Sequence, residues 1–175
     1  MELKSFTDAY FKLLAAKAAP YGYEPKALVA AVWKGTKAMI QNDGSRPNEQ
    51  RFWEVFAGEL GDKILELRPV FDKFYAGEFN GAKTATRENP LARKAVEGAK
   101  AAGYTVILAT NPLFPAVGVA TRLGWLGLSP EDFACVTSYE NCSYCKPSPM
   151  YYTQLLNWAG KAPSECLMIG NDVRE

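Results

Sequence analysis

The sequence predicts an α/β chain: a bundle of helices over residues 1–80, then a partial, three-layer parallel core over residues 81–175. Two observations carry that class. Through the first part apolar positions recur at intervals of three and four with no alternating stretch, which is the period of a helix and not of a strand. From Asn89 onward, short β-branched apolar runs alternate with helical segments, each boundary marked by Gly, Pro, Asn or Ser. Strands and helices in that alternation pair in parallel through right-handed crossovers.

In the first part, Phe6, Tyr10, Leu13 and Leu14 share a face of a helix from Ser5 to about Ala19, where Ser5 and Asp8 approximate a capping box. Pro20-Tyr21-Gly22 ends it. A second helix opens at Pro25, a favoured first position, and sets Leu28, Val32 and Met39 beside Val29, Trp33 and Ile40. Asn42-Asp43-Gly44-Ser45 reads as a turn. A third helix after Pro47-Asn48 repeats Phe52, Phe56 and Leu60, and a fourth after Gly61-Asp62 carries Ile64, Leu67, Phe71, Phe74 and Tyr75.

In the second part, Asn89-Pro90 opens a helix that Gly103 closes, and Tyr104 to Ala109 follows as a buried strand. Pro115 to Leu123 is the next helix, stopped by Gly124, and Phe133 to Thr137 a shorter strand. Ser148-Pro149 caps a helix with Tyr151, Tyr152, Leu155 and Leu156 that ends at Gly160, and Glu165 to Ile169 is the last strand. A parallel sheet is covered on both faces, so three strands make an incomplete plan. The expectation is a piece of a longer fold, with a further strand ahead of Met1 and more chain beyond Glu175.

Composition narrows the function. With 175 residues, 48% of them hydrophobic, the chain has material for a folded core. Its 20 Lys plus Arg against 19 Asp plus Glu are spread evenly over both halves, so no basic face for nucleic acid or anionic lipid is expected. No apolar run reaches the roughly 20 residues that span a bilayer, and the start has no signal-peptide pattern. A cytoplasmic location is therefore expected, with oligomeric state open. The sequence contains no His, which removes imidazole bases, nucleophile triads that use one, and His-ligated metals. Cys142-Ser143-Tyr144-Cys145 is a lone CxxC without further well-spaced ligands, and Cys135 and Cys166 are expected as core thiols in strands.

In open parallel sheets ligands bind beyond the carboxyl ends of the strands. Three such places occur: Thr110-Asn111-Pro112, the loop running to Cys145-Lys146-Pro147, and Gly170-Asn171-Asp172. A hydroxyl, an amide, an ammonium and a carboxylate suit a phosphate ester with a hard divalent cation.

These motifs resemble those of the haloacid dehalogenase-like hydrolase superfamily. Val106-Ile107-Leu108-Ala109-Thr110-Asn111 is similar to its second motif, Lys146-Pro147-Ser148-Pro149 to its third, and Met168 to Glu175, with Asn171-Asp172, to its fourth. The resemblance implies a Rossmann-like core with a helical cap formed by the leading helices. It implies Mg²⁺-dependent hydrolysis of a small phosphorylated metabolite through an aspartyl-phosphate. Thr110 would hydrogen-bond the phosphoryl group, helped by Asn111. Lys146 would offset the charge on its oxygens, and Asp172 or Asn171 would take the metal. The family's first motif, an Asp-x-Asp at a strand end, has no match in these 175 residues. Asp43-Gly44-Ser45 follows a helical pattern and is rejected as the nucleophile. The chain as given is thus expected to be inactive, because its missing first Asp would form the covalent intermediate. Two other readings stand beside this one: a non-catalytic module that binds a phosphate ligand or a protein, and a phosphotransferase or dehalogenase on the same fold.

Overall fold

In the computed structural model, which describes residues 3–87 and 89–170, the leading part is helical. Helices α1 (Leu3–Ala18), α2 (Pro25–Ile40), α3 (Asn48–Leu60) and α4 (Arg68–Ala76) follow the expected order. Ser5 does not cap α1: it lies inside the helix, since Leu3 and Lys4 are good helix formers and nothing there breaks the run. The expected fourth helix is split. Asp62–Leu67 forms a 3-10 segment and α4 starts at Arg68, because Pro69 lacks an N–H and its ring clashes with the carbonyl four residues back, so it fits only a first turn. A further 3-10 segment, Glu78–Ala85, follows Gly77.

Phe6, Tyr10 and Leu14 of α1, Leu28 and Val32 of α2, Trp53 and Phe56 of α3, and Phe71 and Phe74 of α4 make one buried cluster with Phe79 and Ala82. Each large side chain so buried contributes roughly 1.5–3 kcal/mol. Phe114 and Trp125, from the second half of the chain, pack against the same cluster, so the main core runs past residue 80.

The second half holds α5 (Leu91–Ala101), β1 (Ile107–Leu108), α6 (Ala116–Gly124), β2 (Cys135–Val136) and α7 (Pro149–Ala159). Strands β1 and β2 are parallel, Ile107 opposite Cys135 and Leu108 opposite Val136. Ala134 N donates to Val106 O (2.9 Å) and Thr137 N to Leu108 O (3.1 Å), extending the ladder at each end. Val119, Leu123 and Leu128 pack with Val96 of α5 and with Leu108 and Val136 of the strands. Helix α6 lies close to α4: a Cβ at Gly118 would meet the Tyr75 ring at 2.9 Å, and Thr121 Oγ1 donates to Tyr75 O (2.8 Å).

The strands are shorter than expected, and the third is not formed. Tyr104 is exposed and only Ile107–Leu108 of its run is paired, because β2 offers no longer edge. Pro163–Glu165 is a 3-10 turn, and Cys166 to Gly170 forms no strand among the described residues, although its composition suits one. A strand exists only when a neighbour takes its N–H and C=O groups, and among the described residues none pairs with this segment. Leu167 and Ile169 are 82% and 84% exposed. No described helix is long and apolar enough to cross a membrane.

Candidate functional site

Thr110 and Asn111 follow β1 directly, and Lys146 lies in the loop between β2 and α7. The structure brings these three together. Lys146 N donates to Asn111 Oδ1 (3.2 Å). Lys146 is 9% exposed, with Nζ 5.9 Å from the centre of the Tyr151 ring, within reach of a cation–π attraction. Tyr151 OH in turn donates to Thr110 O (2.6 Å). Burial pushes the Tyr151 phenol up, so it stays a neutral donor at physiological pH.

Thr110 is not idle. Its Oγ1 donates to Thr137 O (3.2 Å), and Thr137 Oγ1 donates to Thr110 O (3.0 Å). The two threonines thus latch the loop after β1 to the loop after β2, and presenting the Thr110 proton to a ligand requires that hydroxyl to rotate. The α6 N-terminus, which follows this loop, is already taken: the Glu140 carboxylate accepts from Ala116 N at 2.8 and 3.0 Å, an anion at the positive helix end. Asn171 and Asp172, the expected metal ligands, lie outside the described residues. Among those described no group of three or more His, Cys, Asp or Glu could hold a metal, so they do not by themselves fit Mg²⁺.

Asn48, Thr137 and Tyr151 hold this cluster, and local sequence pattern does not single them out. Asn48, fully buried at the start of α3, donates through Nδ2 to Pro112 O (3.3 Å) and Cys145 Sγ (3.3 Å) and accepts at Oδ1 from Asn42 Nδ2 (2.9 Å). Its main-chain N donates to Cys142 O and that of Glu49 to Tyr139 O, both at 2.8 Å. Asn48 therefore clamps the residue after Asn111 to the residue before Lys146.

The CxxC pair is structural. Cys142 and Cys145 are buried, and burial pushes both thiols up to about 12, which leaves almost no nucleophilic thiolate at neutral pH. Cys166, expected in the core, is exposed because its strand is not formed. Brief treatment with iodoacetamide is expected to give a single fast adduct, at Cys166, with Cys142 and Cys145 reacting only in denaturant. Peptide mass spectrometry checks this.

A family model described as a haloacid dehalogenase-like hydrolase matches residues 5–175. No curated protein and no solved structure matches the chain.

Proposed function

Since the chain belongs to the haloacid dehalogenase-like hydrolases, we propose that the cluster of Thr110, Asn111 and Lys146 receives the phosphoryl group of a small phosphate monoester. The observation that supports this is the buried Lys146, held by its main chain to Asn111 at the end of β1. An ammonium on a largely buried residue attracts a phosphoryl dianion more strongly than one in bulk water, since opposite charges attract more strongly where the dielectric is low. Asn111 adds amide donors at the same strand end. Thr110 adds a hydroxyl once it leaves Thr137. Mg²⁺, when bound, would offset the remaining oxygen charge, a role the resemblance assigns to Asp172 or Asn171.

Hydrolysis through an aspartyl-phosphate needs an attacking carboxylate at a strand end, and residues 1–175 contain no Asp-x-Asp. That observation favours a second reading, binding of the phosphorylated ligand without turnover. The experiment is titration of orthophosphate by calorimetry, with p-nitrophenyl phosphate turnover measured on the same preparation. Orthophosphate is expected to bind, and Lys146→Met to weaken it at least tenfold while the folded far-UV spectrum is kept. Turnover lost in Lys146→Met would establish hydrolysis by this chain and remove the second reading. Binding without turnover supports the second reading, and no phosphate binding at all overturns both.

A further inference from the structure

Three hydroxyls meet at the carboxyl ends of the two strands: Thr110 beyond β1, Thr137 directly after β2 and Tyr151 on α7. Thr137 and Tyr151 are fully buried, whereas Thr110 is half-buried. A buried hydroxyl costs stability unless it is hydrogen-bonded, so packing alone does not explain two of them behind one strand end.

The oxygens stand where two hydrogen-bond patterns can form. In the first, Thr110 Oγ1 donates to Thr137 O and Thr137 Oγ1 donates to Thr110 O. Thr137 Oγ1 also lies 3.1 Å from Thr110 Oγ1, and either can donate to the other. A hydroxyl has one proton and two acceptor positions, so in the second pattern Thr137 Oγ1 donates to Thr110 Oγ1, whose own proton is released to a ligand. Thr110 O keeps a partner throughout, because Tyr151 OH donates to it at 2.6 Å in both patterns. Only Thr137 O gives up a donor. Passing from one pattern to the other takes two hydroxyl rotations; no heavy atom has to move and no proton changes its oxygen.

We propose that Thr137 and Tyr151 are positioning residues for phosphoryl recognition: they form a hydroxyl relay that turns when a ligand arrives, so that Thr110 donates to a phosphoryl oxygen while it accepts from Thr137. This rests on the phosphoryl reading of Thr110, Asn111 and Lys146. A hydroxyl that accepts a hydrogen bond donates a stronger one, since bonds in a chain polarise one another. Tyr151 releases the Thr137 proton for this role, because without the phenol that proton is the remaining side-chain donor to Thr110 O among the described residues. The Tyr151 ring also faces Lys146 Nζ, so removing its hydroxyl alone separates the relay from the ammonium.

The test is calorimetric titration of orthophosphate into the full 175-residue protein and its variants, with affinity taken per folded molecule. Thr110→Val should weaken binding about tenfold, and Thr137→Val and Tyr151→Phe about three- to fivefold each, the size of one hydrogen bond. Thr137→Ser keeps the hydroxyl and should stay within about twofold of the unaltered protein. In the Thr110→Val background, Thr137→Val and Tyr151→Phe should change affinity by less than about 1.5-fold, because their effect passes through the hydroxyl already removed. A merely structural role would weaken binding equally in both backgrounds, and that result overturns the proposal. So does a Thr110→Val protein that binds as well as the unaltered one, or a Thr137→Ser protein as weak as Thr137→Val. If Thr137→Val does not fold, Tyr151→Phe in the two backgrounds decides, since its ring stays in place. Binding that depends on Lys146 but not on Thr137 or Tyr151 sinks the relay and keeps the phosphoryl reading, whereas no binding at all sinks both.

Discussion

Phe79→Ala is expected to lower the unfolding free energy by about 3–5 kcal/mol, read as a shift of the urea midpoint at unchanged slope. Phe79 is fully buried in a 3-10 segment that joins the two halves of the chain. Its ring meets Phe6 and Tyr10 of α1 at 6.1 and 5.7 Å, Tyr75 of α4 at 5.4 Å, and Phe114 and Trp125 of the second half at 6.0 and 5.3 Å. Removing the ring opens a space that elements on several sides would have to fill together, and close-packed interiors relax only in part. With a domain's total stability at roughly 5–15 kcal/mol, this single change removes a large share of it. For a chain of this size the melting temperature should fall by roughly 6–20 °C. Orthophosphate affinity per folded molecule should stay the same, because Phe79 touches none of Thr110, Asn111 and Lys146. A fall below 1 kcal/mol would show that the 3-10 segment is not the joint between the halves.

Asn48→Leu is expected to act on stability and on the site together. The side chain is similar in size but has no polar atoms, so Pro112 O and Cys145 Sγ lose their donor inside the protein. A buried acceptor left without a partner costs about 1–3 kcal/mol. Asn42 Nδ2 loses less, since it keeps its bond to Arg46 O (2.8 Å). The loss should come to about 2–3 kcal/mol. Orthophosphate affinity should drop as well, because Asn48 is a positioning residue that holds the residues next to Asn111 and Lys146 in register. Urea unfolding and calorimetry on one preparation separate the two effects: Phe79→Ala moves only the first, Asn48→Leu both. If Asn48→Leu left phosphate binding intact at saturating folded fraction, the clamp would be structural alone.

The helices were legible because helical periodicity is written within a few residues. Leu28, Val32 and Met39 face inward on the spacing that the sequence shows, and Pro25 and Gly61 mark ends by backbone chemistry that needs no distant partner. The strands were legible only as propensity. Tyr104 to Ala109 and Glu165 to Ile169 look alike in sequence, yet one pairs over two residues and the other over none, because pairing is a property of the neighbour. Thr110, Asn111 and Lys146 could be picked out as candidates since they follow predicted strands and fall in motifs that resemble the family's. Asn48 could not. Its decisive partners lie 64 and 97 residues away, and in sequence it looks like an ordinary helix start. Tyr151 was hidden for the same reason: its helical spacing reads as core, and only the fold shows its hydroxyl on Thr110 O. Pro69 is a local signal that periodicity outweighed, and the structure reverses that ranking.

The segment from Cys166 to Gly170 also governs how the protein behaves as a colloid. Leu167, Met168 and Ile169 present apolar side chains to water, and among the described residues their main-chain groups pair with no neighbour. Such an exposed apolar segment is a template for pairing with another copy of itself. With a formal net charge of +1, copies meet almost no long-range repulsion on approach, and adding salt removes little that was there. Pairwise attraction then sets the solubility ceiling, and dilution and pH, more than ionic strength, are the handles that keep the chain monodisperse.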